Sequence, residues 1–407
     1  VMRVKFTWLA AGLVAAVAGF TSGSAAAECA AGKTEVVRTN PAGKTHTICV
    51  SENAQGGQET AADNGAFVVA SFTPLGYLPG GETTSRAEAL SDDASVVVGS
   101  APPDATYRYR AAVRWTETEG IVRLESDATR SNALDVSGDG STAVGWVIYD
   151  PKSSRSEAAR WTDSGGTDHL GYLPNGTHSL AYGVSADGSV IVGESSGTDG
   201  QEAFRWTEAD GMGGLGFLPY KDSDRSSAYD VSSDGSVIVG LASVLISPVA
   251  KSTVAIRWTT EEGMVALGGN LSAAYGVSAD GSVIVGRTGS ATTGYQEAFR
   301  WTEADGMVGL GFLPDSNYSI AYDVSGDGSV VVGISSIIAS KVSTALRWTE
   351  ADGMQPLQGL LEAQGVDLTG WDLHTVTAVS DDGMRMVGWG RNPDGLEEGW
   401  LATLPLP

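Results

Sequence analysis

From residue 66 to the end of the chain, apolar and polar positions alternate in short runs instead of recurring at helical spacing, so the pattern predicts strands. The clearest stretch reads EAFRWTEADGMVGLGFLPDSNYSIAYDVSGDGSVVVG, from Glu297 to Gly333. It predicts strands over residues 297–302, 307–312, 319–325 and 329–333. Asp305-Gly306 and Asp327-Gly328 mark tight turns, because glycine tolerates the positive φ such turns need. The last strand is rich in β-branched residues, which pack well on a pleated surface. A short helix is expected only within the insertion at residues 358–368.

This stretch is one copy of a repeat. The glycine that ends VS-x-DGS-x-VVG falls at Gly99, Gly145, Gly193, Gly240, Gly286, Gly333 and Gly388, spaced by 46–48 residues and finally by 55. The Arg-Trp pair gives an independent count: Trp115, Trp161, Trp206, Trp258, Trp301 and Trp348 each follow an arginine, and Trp400 holds the same place without one. Four short antiparallel strands per unit of this length predict an all-β, seven-bladed β-propeller over residues 66–407. The last copy supplies three strands, near residues 376–380, 384–388 and 398–404. Residues 67–72, followed by the Leu-Gly-Tyr-Leu-Pro of 75–79, supply the missing fourth. A ring closed by this N-terminal strand would have no open sheet edge to invite aggregation.

The chain before the repeats changes character. Arg3 and Lys5, an apolar run over residues 9–20 and Ala25-Ala26-Ala27 read as a signal peptide spanning 1–27. Residues 28–65 form a small segment and linker in which Cys29 and Cys49, the only two cysteines, are expected to pair as a disulfide in an oxidising compartment. Two short strands are expected around the turn at Asn40-Pro41-Ala42-Gly43. No other apolar run approaches the ~20 residues that span a membrane, so the mature chain is expected to be secreted, extracellular or periplasmic.

With 25 basic against 49 acidic residues and a net charge of −24, the chain is a poor candidate for nucleic acid or an anionic membrane, both of which demand positive charge. A-x-RWT, G-x-x-x-LG-x-LP, S-x-A and VS-x-DGS-x-VVG, recurring in fixed order, resemble the HAF repeat of bacterial exported proteins. The resemblance covers residues 66–407 and implies an exported repeat protein. It brings no catalytic residues with it. The strand order is also similar to that of WD-repeat blades, a likeness of architecture without shared function.

The repeated Arg-Trp invites a cation–π or sugar-stacking role, yet a residue present in every blade is expected to serve the blade, with Trp packed between sheets and Arg on a nearby acid. The repeated Asp-Gly is likewise expected to cap its own turn. Function is expected where the copies differ, in the loops before each innermost strand, around one mouth of the channel. These gather Arg86, Arg130, His178, Lys221, Asp222, Asp224, Arg225, Asp315, Tyr318, Trp371 and His374. Four histidines in all make a Ser-His-Asp or zinc set hard to assemble, although His178 and His374 could meet across the channel. No metal site or cofactor is evident, and calcium is the one cation the acidic loops leave open. The expected partner is a polysaccharide or protein ligand outside the cytoplasm, held without catalysis. A carbohydrate-active hydrolase or lyase at the same mouth, or a structural surface protein, are the alternatives.

Overall fold

The computed structural model describes the strands at 33–39 and 45–51 and residues 68–406, apart from 81–82, 104–108, 126, 151, 153–154, 163–165, 221–222, 248–249, 291 and 340–341. The chain divides into two compact units, residues 1–67 and 68–407. In the first, Lys33–Thr39 pairs antiparallel with Thr45–Ser51, from Lys33 opposite Ser51 to Thr39 opposite Thr45. The two strands flank the expected turn. The signal peptide, Cys29 and the linker lie outside the described residues, and so does the expected disulfide; Cys49 stands opposite Glu35 on the second strand.

The second unit is a ring of seven four-stranded antiparallel sheets among the described residues. Each blade runs outward from an innermost strand: Arg86–Leu90 in blade 1, then Arg130–Val136, Ser179–Val184, Ser226–Val231, Ala273–Val277, Tyr318–Val324 and finally Asp372–Val379 in blade 7. The repeat read from sequence straddles two blades. Residues 297–312 supply the outer strands Gln296–Thr302 and Gly306–Gly311 of blade 5, whereas residues 319–333 fall in Tyr318–Val324 and Val330–Ile337 of blade 6. The helix in the 358–368 insertion is Leu357–Ala363, anchored by buried Leu357 and Leu361.

This offset explains the closure. Blade 7 holds Asp372–Val379, Arg385–Arg391 and Glu397–Thr403, and its fourth strand is Ser71–Pro74 from the N-terminal end, with Ser71 opposite Thr403 and Pro74 opposite Trp400. The segment just after it docks as its in-chain copies do. The Gly76 amide donates to Glu398 Oε1 at 3.0 Å, as Gly216 donates to Glu202 at 2.7 Å and Gly311 to Glu297 at 3.0 Å.

The VS-x-DGS turn is built identically around the ring. In blade 6 the Ser325 hydroxyl donates to Asp327 Oδ1 at 2.8 Å, the Ser329 amide donates to the same oxygen at 2.9 Å, and the Val330 amide donates to Ser325 Oγ at 3.0 Å. Gly328 takes φ 73° there. In blade 1 the glycine is replaced by Ala94, which is forced into the same left-handed region at φ 54°. The core lies between blades. Val144 of blade 2 packs with Ile191, Phe204 and Trp206 of blade 3, and Val283 and Val285 of blade 5 pack with Val331 and Trp348 of blade 6. Three of the arginines before the tryptophans hold nearby acids, Arg114 with Glu119 at 3.4 Å, Arg160 with Asp168 at 2.9 Å and Arg257 with Glu262 at 2.7 Å. Both repeated motifs therefore serve the scaffold, as their recurrence implied.

Candidate functional site

Every innermost strand carries a register shift, between Ala181 and Gly183 in blade 3 and between Ala228 and Asp230 in blade 4, for example, and that of blade 7 carries two. A bulge leaves one residue unpaired and re-aims its side chain. In blades 3 to 6 that residue is Tyr182, Tyr229, Tyr275 and Tyr322. Their rings form a continuous arc, with centroids 5.3, 5.3 and 6.0 Å apart in sequence. Burial raises the ionisation of all four hydroxyls, to about 12 for Tyr229, so they stay protonated and neutral. The bulge position of blade 1 is Glu88. Burial pushes its carboxyl up to about 7 against the pull of Arg86 and Arg110, and its charge is felt by the Tyr322 hydroxyl.

One step further along the strands the blades alternate. Blades 2, 4 and 6 place Asp135, Asp230 and Asp323 there, and blades 3 and 5 place Gly183 and Gly276. Each aspartate accepts its neighbour's amide with Oδ1, at 2.7–2.8 Å. With Oδ2 it accepts an amide of the following blade at 2.8 Å: Val184, Val277 and Val379 respectively. The glycines serve the two seams between, 3–4 and 5–6, since a Cβ at Gly276 would stand 2.9 Å from the Cα of Asp323. Burial pushes all three carboxyls up to about 7, and mutual repulsion along the series adds to it. Beyond them the turns are joined blade to blade by backbone bonds, from Asp92 to Gly138 at 3.0 Å onward to Gly326 and Asp381 at 3.1 Å.

The expected mouth residues fall into separate settings. Arg86 forms a two-point pair with Glu397 of blade 7, at 2.8 and 3.0 Å, and Arg110 joins the same carboxylate at 2.6 Å. Arg86 also lies 4.4 Å from the ring centroid of Trp389, against which His374 packs edge-on at 5.7 Å. Trp389 thus brings Arg86 and His374 together, and it was not among the expected residues; the Gly388 motif alone pointed to its position. His374 Nε2 also meets Asp372 at 3.1 Å. His178, just before the innermost strand of blade 3, is fixed through its backbone, its amide donating to Ser196 Oγ at 3.1 Å.

Tyr318 donates to Gln296 Oε1 at 3.1 Å, and Arg287 reaches the same oxygen while lying 5.8 Å from the Tyr275 ring. Arg225 stands close enough to Tyr182 and Tyr229 to oppose the rise in their ionisation. Asp224 pairs with Lys251, and Arg130 lies 3.5 Å over the ring of Tyr109. Asp315 occupies a left-handed turn position at φ 64°. Trp371 turns inward, edge-on to Phe72 at 4.9 Å, and packs on the core of blade 7. Lys221 and Asp222 lie outside the described residues. The tyrosine arc and Glu88 were read from the sequence only as strand. Among the described residues no group of three or more His, Cys, Asp or Glu side chains is arranged to hold a metal, and no helix is long and apolar enough to cross a membrane.

No family model matches the chain, and no curated protein matches it. Solved structures do. The β-propeller domain of the Trilobed protease from Pyrococcus furiosus, described as having an open velcro topology, is 13% identical, with 80% of this chain covering 95% of that one at a TM-score of 0.52. A prolyl endopeptidase matches at 12% identity and a TM-score of 0.53 over 84% of this chain, which spans about half of it, 51%. TolB from Acinetobacter baumannii is 11% identical over 72% of this chain and 76% of its own, at a TM-score of 0.41. At these identities the likeness is one of fold.

Proposed function

We propose that the chain is an exported, non-catalytic binding module that holds a polysaccharide or protein ligand at the tyrosine-lined channel. The observation that carries this reading is the arc of Tyr182, Tyr229, Tyr275 and Tyr322, aimed inward by a bulge in four successive blades. Aromatic rings in a concave setting with a few polar groups are the usual make-up of a ligand site. Neutral phenols offer both an apolar face and a hydrogen-bonding tip, which suits a sugar chain, and Glu88, Arg225 and Arg287 supply polar groups around them. The HAF-like repeats and the leader-like residues 1–27 support a place outside the cytoplasm. The test is an array of glycans, polysaccharides and peptides probed with the chain from Glu28 onward, with and without calcium. Retained ligand that is lost in Tyr229→Ala supports the reading. Released fragments assign turnover instead, and retention unaffected by Tyr229→Ala overturns the channel as its site.

A further inference from the structure

A second concavity lies away from the channel, between the outer strands of blades 1 and 2. It is a cleft of about 560 Å³, in the range of pockets that take small ligands, and its walls include Arg123, Glu125, Asp127, Tyr149 and Thr167. It sits where blade 2 departs from its copies. Opposite the third strand, blades 3 and 5 have Gly214 and Gly309, and blade 2 has His169. In those blades the glycine leaves room for a glutamate carboxylate, since a Cβ would stand 2.2 Å from Glu202 Oε1 or 2.5 Å from Glu297 Oε1 and push that group aside. Those glutamates turn back to cap a backbone amide. In blade 2 the matching Glu157 meets His169 Nδ1 at 3.2 Å instead.

The exchange organises one wall of the cleft. With Nδ1 held by Glu157, His169 Nε2 faces the Tyr149 hydroxyl at 3.4 Å, and the two rings lie 5.5 Å apart. Thr167 also hydrogen-bonds Tyr149 and is itself fixed by the Trp161 indole N–H, which donates to its Oγ1 at 3.1 Å. Tyr149 is 42% exposed, an aromatic side chain held in place by its hydroxyl and left open to solvent. On the other wall Glu125 is saturated by the Ser131 hydroxyl at 2.9 Å and by the Asp127 and Ala128 amides at 3.0 and 2.6 Å. Arg123 anchors there through the Ala128 carbonyl at 2.9 Å and pairs with Glu125 at 3.5 Å, while its buried Nε has no partner among the described residues. The exposed Asp127 lines the same cleft.

We infer that this cleft is a second ligand site, for a neutral oligosaccharide whose ring face stacks on Tyr149 and whose hydroxyls meet Arg123 and Asp127. A fixed aromatic face beside a donor and an acceptor recognises a flat, hydroxyl-rich ring. Scaffold needs do not explain the arrangement, because blades 3 and 5 dispense with it. The inference does not depend on the channel.

The test is NMR titration of the ¹⁵N-labelled chain from Glu28 with maltotriose, cellotriose and chitotriose. The Trp161 indole N–H, assigned by Trp161→Phe, reports occupancy through its bond to Thr167. One trisaccharide is expected to shift that peak saturably, with affinity falling about tenfold in Tyr149→Ala and weakening again in His169→Gly, the residue that blades 3 and 5 carry. Tyr229→Ala in the channel leaves the shift unchanged, which separates the two sites. Silence of the Trp161 peak with all three sugars, or an undiminished shift in a folded Tyr149→Ala, overturns the inference.

Discussion

Asp230 of blade 4 accepts the amide of Val277 in blade 5 at 2.8 Å, so a carboxyl buried on the channel wall holds two sheets together. Asp135 and Asp323 do the same at two further seams. All three are pushed up to about 7, above the ~3.9 of an unfolded aspartate. A group whose folded pKa is raised stabilises fully below its unfolded value and loses that contribution as pH rises through the folded one. The melting temperature is therefore expected to fall between about pH 4 and 7, measured by calorimetry at fixed ionic strength. In Asp230→Asn the stability at low pH drops, since an amide cannot accept both backbone bonds, and the pH slope shrinks. An unchanged slope in that variant would remove Asp230 from the account.

Ala94 and Gly328 occupy the same turn in different blades, with opposite consequences for substitution. Ala94→Gly relieves a left-handed alanine at φ 54° and is expected to stabilise by about 1 kcal/mol. Gly328→Ala adds a Cβ 2.5 Å from Val283 Cγ2 at φ +73° and is expected to cost roughly 2–4 kcal/mol. Chemical denaturation of the two variants checks both signs.

The seam between blades 7 and 1 is closed by a charged side-chain cluster, Arg86 and Arg110 on Glu397. Glu397→Gln is expected to cost about 1–3 kcal/mol and to make the remaining stability less sensitive to salt. Unfolding in 0.05 and 0.5 M NaCl, wild type against variant, reads this directly.

Removing residues 68–79 takes away the fourth strand of blade 7 and the Gly76 and Tyr77 bonds to Glu398. That deletion is expected to abolish cooperative melting or promote aggregation through the bared edge. Removing residues 28–65 is expected to leave the propeller's melting temperature within a few degrees. Light scattering alongside calorimetry distinguishes the two.

Much of this architecture was legible because period and turn chemistry repeat. Seven Gly and seven Trp markers fixed the blade number, and the Leu-Gly-Tyr-Leu-Pro copy at residues 75–79 identified the closing strand, though the paired residues are Ser71–Pro74 rather than 67–72. The site was less legible for a physical reason. A bulge shifts the phase of strand alternation by one residue, so period-2 reading cannot tell that Tyr229 faces the channel while Ala228 is buried. Trp371 and Arg86 look like free loop residues in sequence, and only the closed ring brings Phe72 to the first and Glu397 to the second. His169 carries no motif in the sequence, and only the fold sets Glu157 and Tyr149 on either side of it.

The alternation of Asp135, Gly183, Asp230, Gly276 and Asp323 makes the repeating unit of the ring two blades long. An aspartate blade and a glycine blade make complementary halves, and the twin segments beginning at Gln201 and Gln296 both belong to glycine blades. Three couples, the last with Ala378 in its second blade, leave blade 1 without a mate. That bachelor blade is where alanine stands in for the turn glycine, a glutamate for the tyrosine, and an arginine clasp for the aspartate staple.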